Sequence, residues 1–148
     1  MLYELAYFGQ INTEEILEYY QTSIMIGERE IDLDLNFEEA SIEAIVLSQT
    51  KSFLESLESR IKSAKAYLNQ LDPNDELLVD YFSIHEDLEE THGLKLESST
   101  LILDRIGLYP SKEWLALFDF TFPKQLSDYM ICIGMNHDGS LNDISLES

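Results

Sequence analysis

Between Glu30 and Phe37 the chain alternates without a break. Ile31, Leu33, Leu35 and Phe37 fall on one side, and Glu30, Asp32, Asp34 and Asn36 on the other. Side chains in a strand repeat every two residues, so this segment reads as a strand with one face in a core and one in water. Such a strand needs neighbours for its backbone and an apolar layer over its inner face. The feature therefore ties the chain to an antiparallel sheet covered on one side.

The flanking sequence supplies both requirements. Thr22 to Ile26 precedes it across Gly27-Glu28-Arg29, which predicts a hairpin. The period then changes. Over Ser41 to Leu71 the residues Leu54, Leu57, Ile61, Ala64, Leu68 and Leu71 recur at spacings of three and four, the stripe of a helix that packs on something. Ser48-Gln49-Thr50 is the expected weak point of that helix. Glu58 and Lys62 are placed to pair on its exposed side. Pro73 ends it, and a second helix is expected from Asp75 to Glu90, burying Leu78, Phe82, Ile84 and Leu88.

After His92-Gly93 strands return. Leu101 to Tyr109 reads either as a helical turn or as a strand. Trp114 to Phe122 and Tyr129 to Met135 read as strands. Asn136 to Ser140 is a turn with an Asp-Gly signal, and Leu141 to Leu146 closes a hairpin. If Tyr129 to Met135 lies at the sheet edge, it is placed to pair with a second copy. At the other end Tyr3 to Phe8 suits a strand, and Asn12-Thr13-Glu14-Glu15 starts a short helix over Thr13 to Tyr20. The expected fold class is α+β: an antiparallel sheet with an N-terminal hairpin and C-terminal strands, and two central helices packed on one face. At 148 residues, 1–148 is one domain.

Charge narrows the partners. Asp and Glu number 29 against 9 Lys and Arg, a net charge of −20. Nucleic acid and anionic membrane surfaces are disfavoured, because both are bound by basic patches. A basic protein or a cation is attracted. Acidity also serves solubility with no partner at all. No apolar run reaches the roughly 18 residues of a membrane helix, and Met1-Leu2-Tyr3-Glu4-Leu5 lacks a secretory start, so a cytoplasmic location is expected. The single Cys132 lies in an apolar run and reads as a buried structural thiol.

Segments that carry chemistry are few. His85 and Glu89, four apart on one helical face with His92 nearby, form the one arrangement that suits a divalent metal, though a solvated acidic helix end explains it as well. Asp138-Gly139-Ser140-Leu141-Asn142 starts like a calcium loop, but Asp143 stands where the loop needs Gly, so a turn is expected. No Gly-rich phosphate loop or nucleophile elbow occurs. Asp119 is expected to face solvent opposite Phe118 and Phe120. No catalytic residue, cofactor or metal is expected. From Ala66 to Leu94 there is no Lys or Arg, and Asp72, Asp75, Glu76, Asp80, Glu86, Asp87, Glu89 and Glu90 make the expected partner-binding surface. Arg60 and Lys95 are the residues placed to fold back and neutralise it.

Arg105-Ile106-Gly107-Leu108-Tyr109-Pro110, Leu117-Phe118-Asp119-Phe120 and the ending Asp143-Ile144-Ser145-Leu146-Glu147-Ser148 resemble a bacterial family filed as a domain of unknown function, number two thousand and four. Tyr7-Phe8-Gly9 and Ile31 to Phe37 resemble its N-terminal half. The resemblance implies a small stand-alone bacterial domain, with relatives acting as immunity proteins beside secreted toxins. It implies no catalytic residues. Two functions follow as expectations: an immunity-type interaction protein that neutralises a basic partner such as a toxin, or a small metal-dependent enzyme using the His85 to His92 segment. An accessory domain is the remaining alternative.

Overall fold

The computed structural model describes residues 2–12, 19–37, 44–110 and 112–147. Its centre is a six-stranded sheet in sequence order: β3 (Tyr19–Ile26), β4 (Arg29–Asn36), β5 (Ile102–Leu108), β6 (Trp114–Thr121), β7 (Met130–Asn136) and β8 (Leu141–Glu147). A separate hairpin, β1 (Leu2–Leu5) with β2 (Gly9–Asn12), precedes it. Between β4 and β5 lie α1 (Ala44–Glu55), α2 (Leu57–Gln70), α3 (Glu76–Ser83) and α4 (Glu86–His92). The fold is α+β.

The alternating segment is β4, and its hairpin with β3 turns at Gly27, whose φ of 64° is open to glycine at no steric cost. Ile31, Leu33, Leu35 and Phe37 are buried in one cluster with Leu54, Leu57, Ala64 and Leu68, and Ile61 packs half-buried against it. Five of the strand pairs are accounted for by hairpins and short connections, but β4 and β5 run parallel. A parallel pair needs a long crossover, and the helical segment is that crossover. All four helices therefore belong to one connection and cover one face. Phe53 of α1 meets Phe118, and Tyr81 of α3 stacks on Phe122 at 5.6 Å.

Several expectations are corrected in detail. The helix over Ser41 to Leu71 breaks at Ser56, not at Ser48 to Thr50; its first residues, 41–43, lie outside the described residues. Ser56 Oγ donates to the Ser52 carbonyl at 2.8 Å and accepts from Arg60 Nε at 3.2 Å, competing with the helix ladder. On the first of these helices Lys51 meets Glu55 at 3.8 Å, whereas Glu58 and Lys62 form no ion pair among the described residues. The helix over Asp75 to Glu90 breaks at Ile84-His85, which re-phases its second half. Ile84 is consequently 52% exposed, while Tyr81 and His85 are buried with Leu78 and Leu88; Phe82 is half-buried. The helix expected over Thr13 to Tyr20 falls at residues 13–18 outside the described residues, and Tyr19 and Tyr20 begin β3. Tyr3 to Phe8 is one arm and the turn of the β1–β2 hairpin, with Tyr7 and Gly9 at positive φ. Leu101 to Tyr109 resolves as strand β5. The strand expected from Tyr129 lies inside the sheet, between β6 and β8, and is no edge. Among the described residues no helix is long and apolar enough to cross a membrane.

Candidate functional site

The acid-rich stretch folds into the end of α2, α3 and α4. Asp75 caps α3, its Oδ1 accepting from the Leu77 amide at 3.0 Å, and so has a local structural use. Asp72, Glu76, Asp80, Glu86, Asp87, Glu89 and Glu90 are exposed. None of these eight carboxylates takes part in an ion pair among the described residues. Arg60, expected as a possible neutraliser, is held instead at the turn between β7 and β8. A Cβ placed on Gly139 would collide with its guanidinium. Lys65 is also engaged elsewhere: its Nζ donates to the carbonyls of Ser98, at 3.1 Å, and of Leu101, and lies over the Phe120 ring. Burial pushes its pKa down. Lys95 is exposed.

An open concavity of about 520 Å³ adjoins these acids. Pro73, Val79, Phe82 and Leu96 give it an apolar floor, and Glu86, Glu89 and Glu90 form its rim. Val79 is 44% exposed, a consequence of the amphipathic phase of α3, which turns Leu78 and Tyr81 inward.

His85 lies between α3 and α4. It is buried, which corrects the expectation of a solvated helix end. Nδ1 lies 2.6 Å from the Tyr81 carbonyl, and Nε2 lies 2.5 Å from Ser127 Oγ. A carbonyl only accepts, so Nδ1 carries a proton; in the neutral ring Nε2 then accepts from the Ser127 hydroxyl. The imidazole is packed among Tyr81, Phe122 and Tyr129. Both nitrogens thus have partners, and Glu89 is not one of them. No cluster of three or more metal-ligating side chains occurs among the described residues. Asp138 closes a turn, its Oδ1 accepting from the Ser140 amide and hydroxyl at 2.9 and 2.6 Å. Those bonds hold its pKa below the usual carboxylate value.

Sequence reasoning missed a second cluster, on the open face of the sheet. Register places Asp34, Arg105, Gly107, Tyr109, Asp119 and Cys132 on the side away from the helices. Asp34, read as a solvent residue, is only 2% exposed: it pairs with Arg105 and accepts from Tyr19 Oη at 3.0 Å. Arg105 Nη2 reaches Tyr109 Oη at 3.4 Å. The Tyr109 ring folds back over Gly107, where an added Cβ would lie 2.9 Å from it, so any larger residue here would displace the ring. Asp119, expected to face solvent, is 6% exposed and accepts from the Cys132 thiol at 2.9 Å. Burial raises the pKa of Asp119 and of Cys132, and the neighbouring Asp119 charge pushes the thiol further up. An inert structural thiol follows, as its apolar run suggested. The available signal was Arg105 itself, a lone basic residue in an apolar strand that needs a carboxylate beside it.

No family model, curated protein or solved structure matches the chain.

Proposed function

We propose that this chain is a small acidic interaction protein that binds a basic protein on the α3–α4 face. One observation carries the reading: Glu86, Glu89 and Glu90 rim a concavity with an apolar floor, and none of the eight acids from Asp72 to Glu90 is in an ion pair among the described residues. Uncompensated carboxylates there steer a cationic partner, and the apolar floor supplies area to bury once it arrives. An immunity-type role, in which such a protein covers a basic partner such as a toxin, is the form that fits this chemistry. The chain acts in this reading without a cofactor.

The test uses paired baits from the native host, wild type and a variant carrying Glu86→Gln, Asp87→Asn, Glu89→Gln and Glu90→Gln. Wild type should retain a basic protein that the variant loses and that high salt elutes. A partner held equally by both baits, or an acidic one, contradicts the reading.

A second reading has one observation in its favour. The chain Ser127 hydroxyl, His85 Nε2, His85 Nδ1, Tyr81 carbonyl has the order of a nucleophile, a base and an orienting acceptor. Ser127 is half-buried and lines an open concavity of about 540 Å³ with Arg29 and Lys124. In that reading Ser127 Oγ attacks the carbonyl of an ester while His85 Nε2 takes its proton; as the carbonyl re-forms, the ester C–O bond breaks and His85 returns the proton to the departing alcohol, leaving Ser127 acylated for water to hydrolyse. A fluorophosphonate probe that labels Ser127 in wild type and not in His85→Gln supports it; an unlabelled wild type rejects it.

A further inference from the structure

The concavity beside α3 and α4 continues past its floor. A second one, of about 420 Å³, shares Pro73, Phe82 and Leu96 with the first and extends to Leu71 at the end of α2 and to Ser98. Through those shared residues they adjoin as one groove: Leu71, Pro73, Val79, Phe82 and Leu96 supply its apolar lining, with carboxylates Glu86, Glu89 and Glu90 in one part and Glu97 in the other.

We infer that this groove receives an amphipathic basic helix of the partner. The inference rests on the proposed partner reading and specifies the partner's shape. The walls decide it. Every lining residue belongs to a helix, or to the segments that end α2 and precede β5; among the described residues no strand edge borders the groove. An extended peptide gains its affinity from main-chain bonds to a sheet edge, and here it would lay unpaired amides and carbonyls against Val79, Phe82 and Leu96. A helix satisfies its own backbone and offers only side chains. Apolar residues at spacings of three and four meet the floor, and Lys or Arg on the flanks meets the glutamates. A second copy of this chain is a poor occupant, because its own helices on this face carry the same acids.

Two synthetic peptides of roughly 15–20 residues test this, long enough to be helical when bound. Both contain Leu and Lys in equal numbers; one spaces Leu at three and four, the other strictly alternates. The helical-period peptide should bind at least about tenfold more tightly, and Val79→Asn should weaken it by about tenfold, as expected for loss of a buried valine contact. Ile84→Asn, exposed but outside the groove, should leave affinity unchanged. Amide shifts on titration should centre on Val79, Phe82 and Leu96. Equal binding of the two peptides, or indifference to Val79→Asn, overturns the inference. So does concentration-dependent dimerisation that Val79→Asn abolishes, which would assign the groove to a second copy. If partner capture still depends on Glu86, Asp87, Glu89 and Glu90 in that event, the partner reading stands and only the helix falls.

Discussion

Asp119 shows how far one residue can depart from its sequence neighbourhood. It stands between two phenylalanines on the opposite side of β6, where alternation places a solvent-facing acid. The open face is only nominally open at that point. Asp119 lies with Arg105, Tyr109 and Cys132 in a recess of the sheet, only 6% exposed, and burial favours the protonated carboxyl. A carboxyl whose folded pKa is raised binds its proton longer in the native state than in the unfolded one. Its contribution to stability is therefore full below the ordinary Asp value and falls as pH rises through the folded pKa. Asp119→Asn keeps an acceptor for the thiol and removes this slope. The variant should gain stability relative to wild type as pH rises from the ordinary carboxylate range toward neutrality, measured as the difference in thermal midpoints. A difference that stays flat or shrinks contradicts a carboxyl whose burial outweighs the Cys132 hydrogen bond and the Arg105 charge.

Strand β4 and helix α3 each bury one apolar face. Leu33 is fully buried on β4, so Leu33→Ala should cost about 2–5 kcal/mol on chemical denaturation. On α3 the phase is equally specific: Leu78→Ala should cost a similar 2–5 kcal/mol, while Val79→Asn should stay within about 0.5 kcal/mol. Equal losses at 78 and 79 would mean that α3 is rotated. Clean periods were legible in the sequence. The β4 alternation, its hairpin and the stripe from Leu54 to Leu68 lie where their spacing put them. Elements interrupted by a local device were not legible. In β5 the register shifts between Leu103 and Arg105, so Leu103 and Ile106, three apart, both face the core and the period of two is lost. Between α3 and α4 the break at Ile84-His85 resets the helical phase, which sequence spacing carried straight through. The parallel β4–β5 pair was hidden for a different reason: pairing across a long crossover leaves no local signal.

For the whole molecule, a net charge of −20 is a property of the surface and says nothing by itself about the fold. What gives it a direction is placement. Arg105 is bound to Asp34, Arg29 Nη1 donates to the Leu103 carbonyl at 2.7 Å, Lys65 is committed to two carbonyls, and Arg60 lies at the β7–β8 turn. These cations are thus used away from α3 and α4, and among the described residues none of them pairs with the acids from Asp72 to Glu90. The groove floor was invisible in the sequence, because Pro73, Phe82 and Leu96 come together only through tertiary packing. The most direct measurement is the association rate of the captured basic partner in rising salt, for wild type and for the variant with Glu86, Asp87, Glu89 and Glu90 neutralised. Exposed charges act mainly on encounter and are screened over about 8–10 Å near physiological ionic strength. Wild-type association should slow steeply with salt, the variant should start slower and depend on salt less, and dissociation should differ little between them. Association indifferent to both salt and the substitutions would contradict an acidic docking face on this protein.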